Sequence, residues 1–264
     1  MQISVLGCAG SMALGHHTTS FLVDDDLLVD AGSGVGTLSV EQMRRIDHVL
    51  ITHAHLDHVL ALPLLADVVI RHRIEQQRGP IDVWALPETL QTLQNHLFNN
   101  QLWPDFTRLP SADAPVLKLR PLAVGQRLTL GGRVAEVLPA RHVVPAVGYA
   151  LWHADRPQAG AWGYSGDTGP NPELWRALQR LPHLRHWVME VAFSDQDRAL
   201  AQVSGHHSPS TLDRELFELP ESVQVHLTHL KPGEWEAVES DLERLGRSRT
   251  LHRLQTGDRF VLVA

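Results

Sequence analysis

The sequence predicts a mixed α/β fold, layers of sheet and helix packed around one core, on three observations. The chain has 264 residues, 43% of them hydrophobic and 20% charged, an ordinary globular balance that can bury a core without disulfide or metal staples. Short β-prone runs separated by glycine-rich punctuation open the chain. Helix and strand patterns then alternate from Asn171 onward, and packed layers satisfy such alternation most economically. No low-complexity linker or fixed-period repeat interrupts the chain, so one domain over 1–264 is expected.

In order, residues 2–6, 18–23 and 27–30 read as strands, the last two divided by the acidic turn Asp24-Asp25-Asp26. The glycines of 7–15 lack the Gly-Lys-Ser/Thr ending of a phosphate-binding loop, so tight turns are the reading there. A short helix fits 40–45 and a strand 48–52. Helical stretches follow over 56–76 and 87–101, with Pro87 suited to a first helical turn, so about 66–103 is expected as a helical segment. Residues 102–115, with Pro104, Pro110 and Pro115, read as loop, and strands dominate 116–164. Then come a helix over 173–181, a strand over 186–190, helices over 199–203 and 211–219, a strand over 223–227, a helix over 235–245 and a strand over 260–263.

Composition excludes several functions. The net charge of −7 argues against a broad basic surface for nucleic acid. The longest nearly apolar run, 59–70, contains Pro63 and Asp67 and falls short of the roughly 20 residues a membrane helix needs. The opening MQISVLGCAG has no basic segment before an apolar one, so no signal peptide and a cytoplasmic setting are expected. Cys8 is the single cysteine, which excludes an intramolecular disulfide.

Histidine is the outlier, with 17 copies, and it is the commonest metal ligand. His53, His55, Asp57 and His58 fall within six positions, just after the strand expected at 48–52. Extended backbone puts His53, His55 and Asp57 on one side, and a turn into helix can bring His58 round. Such a set suits zinc or a related ion, and chance would supply the motif only about 0.005 times in this composition. His142, Asp167 and His229 follow or end later predicted strands, where α/β sheets gather their ligands.

These seven residues, in order, resemble the ligand set of the metallo-β-lactamase superfamily. The resemblance implies an αββα sandwich with two divalent ions at one edge, zinc first and manganese or iron as alternatives. His53, His55 and His142 would hold one ion, Asp57, His58 and His229 the other, and Asp167 would bridge them. A narrower resemblance covers nearly the whole chain. The segments VMEVAFSDQ, SGHHSP and VHLTHLKPG, with the N-terminal LVDAGSG, are similar to class II cyclic-nucleotide phosphodiesterases. Ala192, His207 and Ser208 depart from that pattern, where the family usually has Ser, Leu and Thr.

The resemblance implies attack by a metal-bridging hydroxide on a 3',5'-cyclic nucleotide, cAMP and/or cGMP, giving the 5'-nucleotide. His206 is the candidate acid for the leaving oxygen, with a helix-capping histidine as the plainer reading, and Asp57 is the candidate for orienting the hydroxide. Thr52 and Glu190 could orient ligands from behind. Lys231 could steer a phosphate or be a surface lysine. His16 and His17 sit on a loop expected to approach the site, more simply as a solvated turn. Trp103 and Phe106 could stack a base, with core packing as the commoner outcome, and the helical segment could serve a homodimer. The rivals are a tRNA 3'-processing endonuclease or another hydrolase of this superfamily, and, from a different class, a non-catalytic metal- or nucleotide-binding module.

Overall fold

Apolar runs broken by glycine and acidic turns become strands in the computed structural model, which describes residues 1–181, 183–245 and 249–263. The first half contains β1 (Gln2–Gly7), β2 (Ser20–Val23), β3 (Leu27–Val29), α1 (Val40–Met43), β4 (His48–Leu50), α2 (Leu56–Val59), α3 (Leu62–Glu75), β5 (Ile81–Ala85), α4 (Pro87–Thr92), β6 (Pro110–Ser111), β7 (Ala114–Pro115) and β8 (Leu117–Pro121). The second contains β9 (Arg127–Leu130), β10 (Arg133–Pro139), β11 (Val147–His153), β12 (Ala161–Tyr164), α5 (Pro172–Leu178), β13 (Leu184–Glu190), α6 (Arg198–Ser204), α7 (Pro209–Asp213), β14 (Gln224–Thr228), α8 (Trp235–Arg244), β15 (Leu251–Arg253) and β16 (Arg259–Val261).

Two seven-stranded sheets result, ordered β16-β1-β2-β3-β4-β5-β8 and β15-β14-β13-β12-β11-β10-β9. Their facing sides share one core, in which Phe21 and Val29 of the first sheet meet Tyr149, Trp162 and Tyr164 of the second. The outer face of the first sheet is covered by α3 and α4 through Leu65, Val69 and Leu90. That of the second is covered by α5, α7 and α8 through Leu174, Trp175, Leu212 and Val238. The layering is αββα, as expected. Two hydrogen bonds tie the sheets beside the histidine-rich turn: Tyr149 Oη donates to the Ile51 carbonyl at 2.8 Å, and Val147 N–H donates to the Thr52 carbonyl at 3.0 Å.

The helical segment expected at about 66–103 is helical only in part. Strand β5 runs through it and pairs in parallel with β4 and β8, so α3 is a crossover within the first sheet rather than an insertion. The signal was period two: Ile81, Val83 and Ala85 are buried while Asp82 and Trp84 are half-buried. After α4 the chain makes one π-helical turn at Leu93–Leu97 and then leaves helix. The helix expected over 56–76 divides into α2 and α3, with Pro63 in the first turn of α3, a position where its missing N–H costs nothing. Strand β15, unforeseen, is a half-buried three-residue edge strand. Phe106 is buried, and it and Trp103 pack in the outer core of the first sheet.

Candidate metal centre

The seven expected metal ligands and two buried acids behind them, Asp30 and Glu190, follow a strand C-terminus or end the strand itself, whereas His206 follows α6. Asp30 follows β3, the histidine-rich turn follows β4, His142 follows β10, and Asp167 follows β12. Glu190 is the last residue of β13, and His229 follows β14. The strands β12, β13 and β14 are mutually parallel, so their ends share one edge of the sandwich. Past β4, extended backbone carries the chain to His55, which precedes the four-residue α2 at φ −65°, ψ 146°. That bend turns His58 into the interior, where it is fully buried.

The seven expected residues converge into two overlapping sets. His53, His55, His142 and Asp167 bring one ligand-type atom each within 4.8 Å of one another, and so do Asp57, His58, Asp167 and His229. Asp167 belongs to both: its Oδ2 lies 3.7 Å from His53 Nε2 and 3.1 Å from His229 Nε2, and its Oδ1 lies 3.4 Å from His58 Nε2. His142 Nε2 is 3.2 Å from His55 Nδ1, and His229 Nε2 is 3.1 Å from Asp57 Oδ2.

The donor chemistry fits metal ions. His53 Nε2, His58 Nε2 and Asp167 Oδ1 are buried without a hydrogen-bond partner, an unfavourable state unless a cation serves them. Imidazole nitrogens with carboxylate oxygens are the set that zinc and related ions prefer. The His/Asp cluster is compatible with a dinuclear metal site. Charge tells the same story. Burial alone would lower His58, yet Asp167 and Asp30 hold it well above the ordinary imidazole range. Burial also opposes protonation of His229, but Asp167 and then Asp57 push it up to about 10. Burial would raise Asp57 and Asp167, and the neighbouring His229 and His58 instead hold both well below the usual carboxylate range. The carboxylates thus recruit protonated histidines as counter-cations. His53, by contrast, is driven well below its ordinary value by burial and by His58.

A layer behind the ligands fixes them. Asp30, fully buried, accepts from His58 Nδ1 at 2.7 Å and from Thr52 Oγ1 at 2.9 Å and Thr52 N–H at 2.8 Å. Thr52 Oγ1 in turn lies 3.1 Å from His53 Nδ1. One carboxylate therefore orients two histidines and leaves each Nε2 for the centre. Sequence reasoning named Thr52 but did not single out Asp30, although that acid ends an apolar strand and lies within the LVDAGSG segment that carries the resemblance. His142 Nδ1 is held by the Gly205 carbonyl at 3.0 Å.

His206 sits beside the cluster, its ring 4.8 Å from that of His142 and 5.2 Å from that of His229. Its Nδ1 donates to Glu190 Oε1 at 2.9 Å, and the same oxygen accepts from Thr168 N–H at 3.1 Å. The capping role weighed for His206 falls instead to Ser208, which forms a reciprocal cap with Thr211. Lys231 lines the cleft over the cluster with Gly10, Met12, Thr18, His55, Asp57 and His206, its ammonium 3.9 Å from the Phe193 ring centre. The loop after β1 approaches the site through Gly10, Ser11, Met12 and Thr18, and neither His16 nor His17 lines that cleft.

Residues 26–251 match the family model of the beta-lactamase superfamily domain, so the chain belongs to that superfamily, and its layered architecture is the metallo-β-lactamase fold. Within it, the chain is 26% identical over 241 residues to a probable 3',5'-cyclic-nucleotide phosphodiesterase of Yersinia pestis, covering 83% of this chain and 66% of that protein. It is 28% identical to the anti-Pycsar protein Apyc1 of Saccharibacillus brassicae, over 87% of this chain and 89% of that one. A shorter stretch, 44% of this chain and 36% of the other, is 33% identical to a ribonuclease Z of Bradyrhizobium. Unliganded yeast PDE1 superposes with a TM-score of 0.78 over 98% of both chains at 19% identity, a likeness of fold.

Proposed function

We propose that this chain is a dinuclear-metal phosphodiesterase that opens 3',5'-cyclic nucleotides, cAMP and/or cGMP, to 5'-nucleotides. The observation that carries it is the pair of four-residue clusters sharing Asp167, with His206 seated on Glu190 at their rim. The similarity over most of the chain to a probable cyclic-nucleotide phosphodiesterase supports the substrate class.

His53, His55, His142 and Asp167 would hold one ion, and Asp57, His58, His229 and the shared Asp167 the second. Zinc suits the donor set, with manganese or iron as alternatives. Bound there, such a pair supplies a nucleophile at neutral pH and counters phosphoryl charge. The chain's own groups do the rest. Asp30 and Thr52 hold His58 and His53 in the tautomers that present Nε2. Asp57, half-buried at the cleft floor, can accept a hydrogen bond from the attacking group. Glu190 holds Nδ1 of His206, leaving Nε2 to deliver a proton to the ribose O3' as the P–O3' bond breaks, a task that general acids accelerate by about 10²–10⁴. Lys231, at the open side, can receive a phosphoryl oxygen.

A tRNA 3'-processing endonuclease is the second reading, favoured by the 120-residue similarity to ribonuclease Z. Against it stands the net charge of −7, poorly suited to a phosphate backbone. Between His142 and Asp167 the chain forms β11, β12 and the turns between them, with no inserted arm to grip a long RNA. Incubating metal-replete protein with cAMP, cGMP and a tRNA precursor separates the two readings. The expected product is a 5'-nucleotide from a cyclic substrate; cleaved precursor with intact cyclic nucleotides would overturn the proposal.

A further inference from the structure

Beside the ligand cluster lies a second cleft of about 740 Å3, large enough for a nucleotide-sized group and unused in the mechanism above. Its walls carry Arg141, Arg198 and Arg214, with Gln202 and Thr211, and among the described residues no carboxylate lines it. Local structure brings these groups together. Arg198 and Gln202 stand four apart on α6, and Thr211 and Arg214 three apart at α7, so each pair shares one helix face. Arg141 enters on the loop after β10, where its N–H donates to Thr168 Oγ1 at 2.9 Å and its carbonyl accepts from Gly169 N–H at 2.9 Å.

Among the described residues, none of the three arginines is in an ion pair. The acid that Arg198 influences, Asp195, is already occupied by Ser208 Oγ at 2.7 Å and Ser210 N–H at 3.0 Å. Three guanidinium groups around one concavity, in a chain of net charge −7, repel each other unless an anion joins them, and guanidinium forks match phosphate bidentately. His142 and His206 line this cleft too, and His206 also lines the cleft over the ligand cluster. A substrate whose scissile phosphate rests at the ligands would meet His206 on its leaving side, and whatever extends beyond it enters the arginine cleft.

We propose that this cleft is a second phosphate subsite, made for a nucleotide that carries another phosphoryl group on the leaving-group side of the scissile bond. The proposal rests on the phosphodiesterase reading and extends its substrate class from cyclic mononucleotides to nucleotides with two phosphates, such as dinucleotides. Arg141, Arg198 and Arg214 take the second phosphate, and the Gln202 amide supplies a hydrogen bond beside it.

The test is calorimetric binding of adenosine 3',5'-bisphosphate and of adenosine 5'-monophosphate to metal-replete protein. The bisphosphate should bind at least tenfold tighter. In the Arg198→Gln/Arg214→Gln variant that ratio should fall to near one, and in Arg198→Gln alone it should fall about threefold. Arg71→Gln, on an exposed arginine of α3 paired with Glu75, should keep the wild-type ratio. A wild-type ratio below two, or one that survives the double substitution, would overturn the subsite. Cyclic AMP hydrolysis, followed in the same preparations, separates the two ideas. No hydrolysis with a large ratio sinks the reaction and not the cleft; hydrolysis with a ratio near one sinks the cleft alone.

Discussion

Asp30 and His229 are non-glycine residues with left-handed backbone, at φ 58° and 65°, a conformation that costs about 1–2 kcal/mol and persists only where surroundings demand it. Both are buried at the centre, and in each the backbone twist points the side chain at the ligand cluster. Asp30 has the wider reach, because it holds His58 directly and His53 through Thr52. Asp30→Asn keeps the shape and removes the charge, so the substitution should weaken metal affinity by about 10–100-fold. Competition against a chelator of known affinity checks this, and unchanged affinity would show that Asp30 is only packing. His206→Ala should lower kcat by about 10²–10⁴ while metal content, read by elemental analysis, stays at the wild-type value. Turnover at the wild-type rate would remove His206 from the mechanism.

At the scale of elements, the centre depends on how closely the turns approach one another. An added Cβ on Gly32 would meet the Asp57 carbonyl at 2.2 Å in backbone contact, so the segment after β3 and the turn into α2 fit together only with glycine there. Away from the centre, β13, β14 and β15 place His186, His226 and His252 in a row, the first two against Phe260, with the His226 ring centroid 5.5 and 5.3 Å from those of its two histidine neighbours. Burial, and then His186 and His252, lower the His226 pKa to about 4. Since the unfolded chain binds the proton more readily, near 6.5, the stability due to neutral His226 is complete above that pH and drains away as pH falls towards 4. Discounted for the ring's partial exposure, the loss amounts to about 1–2 kcal/mol. Urea midpoints at pH 7 and pH 4.5 on metal-free protein should therefore differ less in His226→Gln than in wild type; an equal difference would refute the assignment.

For the whole molecule, metal and fold are coupled through charge. Without ions, protonated His58 and His229 stand in as the cations beside Asp57 and Asp167, so the metal-free chain should still fold. Ions at about a thousand times their dissociation constant add about 4 kcal/mol per site, and for a chain of this size about 1 kcal/mol moves the melting temperature by about 2–4 °C. Chelation of both ions removes about 8 kcal/mol and should thus lower the melting temperature by about 16–32 °C, and calorimetry that found no change would exclude structural coupling. Metal uptake must also displace the proton that His229 holds up to about 10, so uptake should acidify an unbuffered solution and affinity should rise with pH. An indicator dye reads the released acid directly.

Most of the individual strands, the helices of the second half and the seven converging residues were legible in the chain. Strands announce themselves by local alternation and glycine, and a dense cluster of histidines stands out by composition alone. The layering of the fold entered through resemblance rather than periodicity. Tertiary structure decided the rest. Strand β5 was hidden because a short strand between helices shows only a few residues of alternation, and pairing with β4 and β8 settles its state. Asp30, at the end of β3, lies 28 positions from the His58 it orients, and only the packing of β3 beside β4 reveals that contact. The arginines of the second cleft, spread over three segments from Arg141 to Arg214, have no local pattern at all. A local signal is written by the residues beside it; a site assembled from separate strand ends exists only once the sheets have closed.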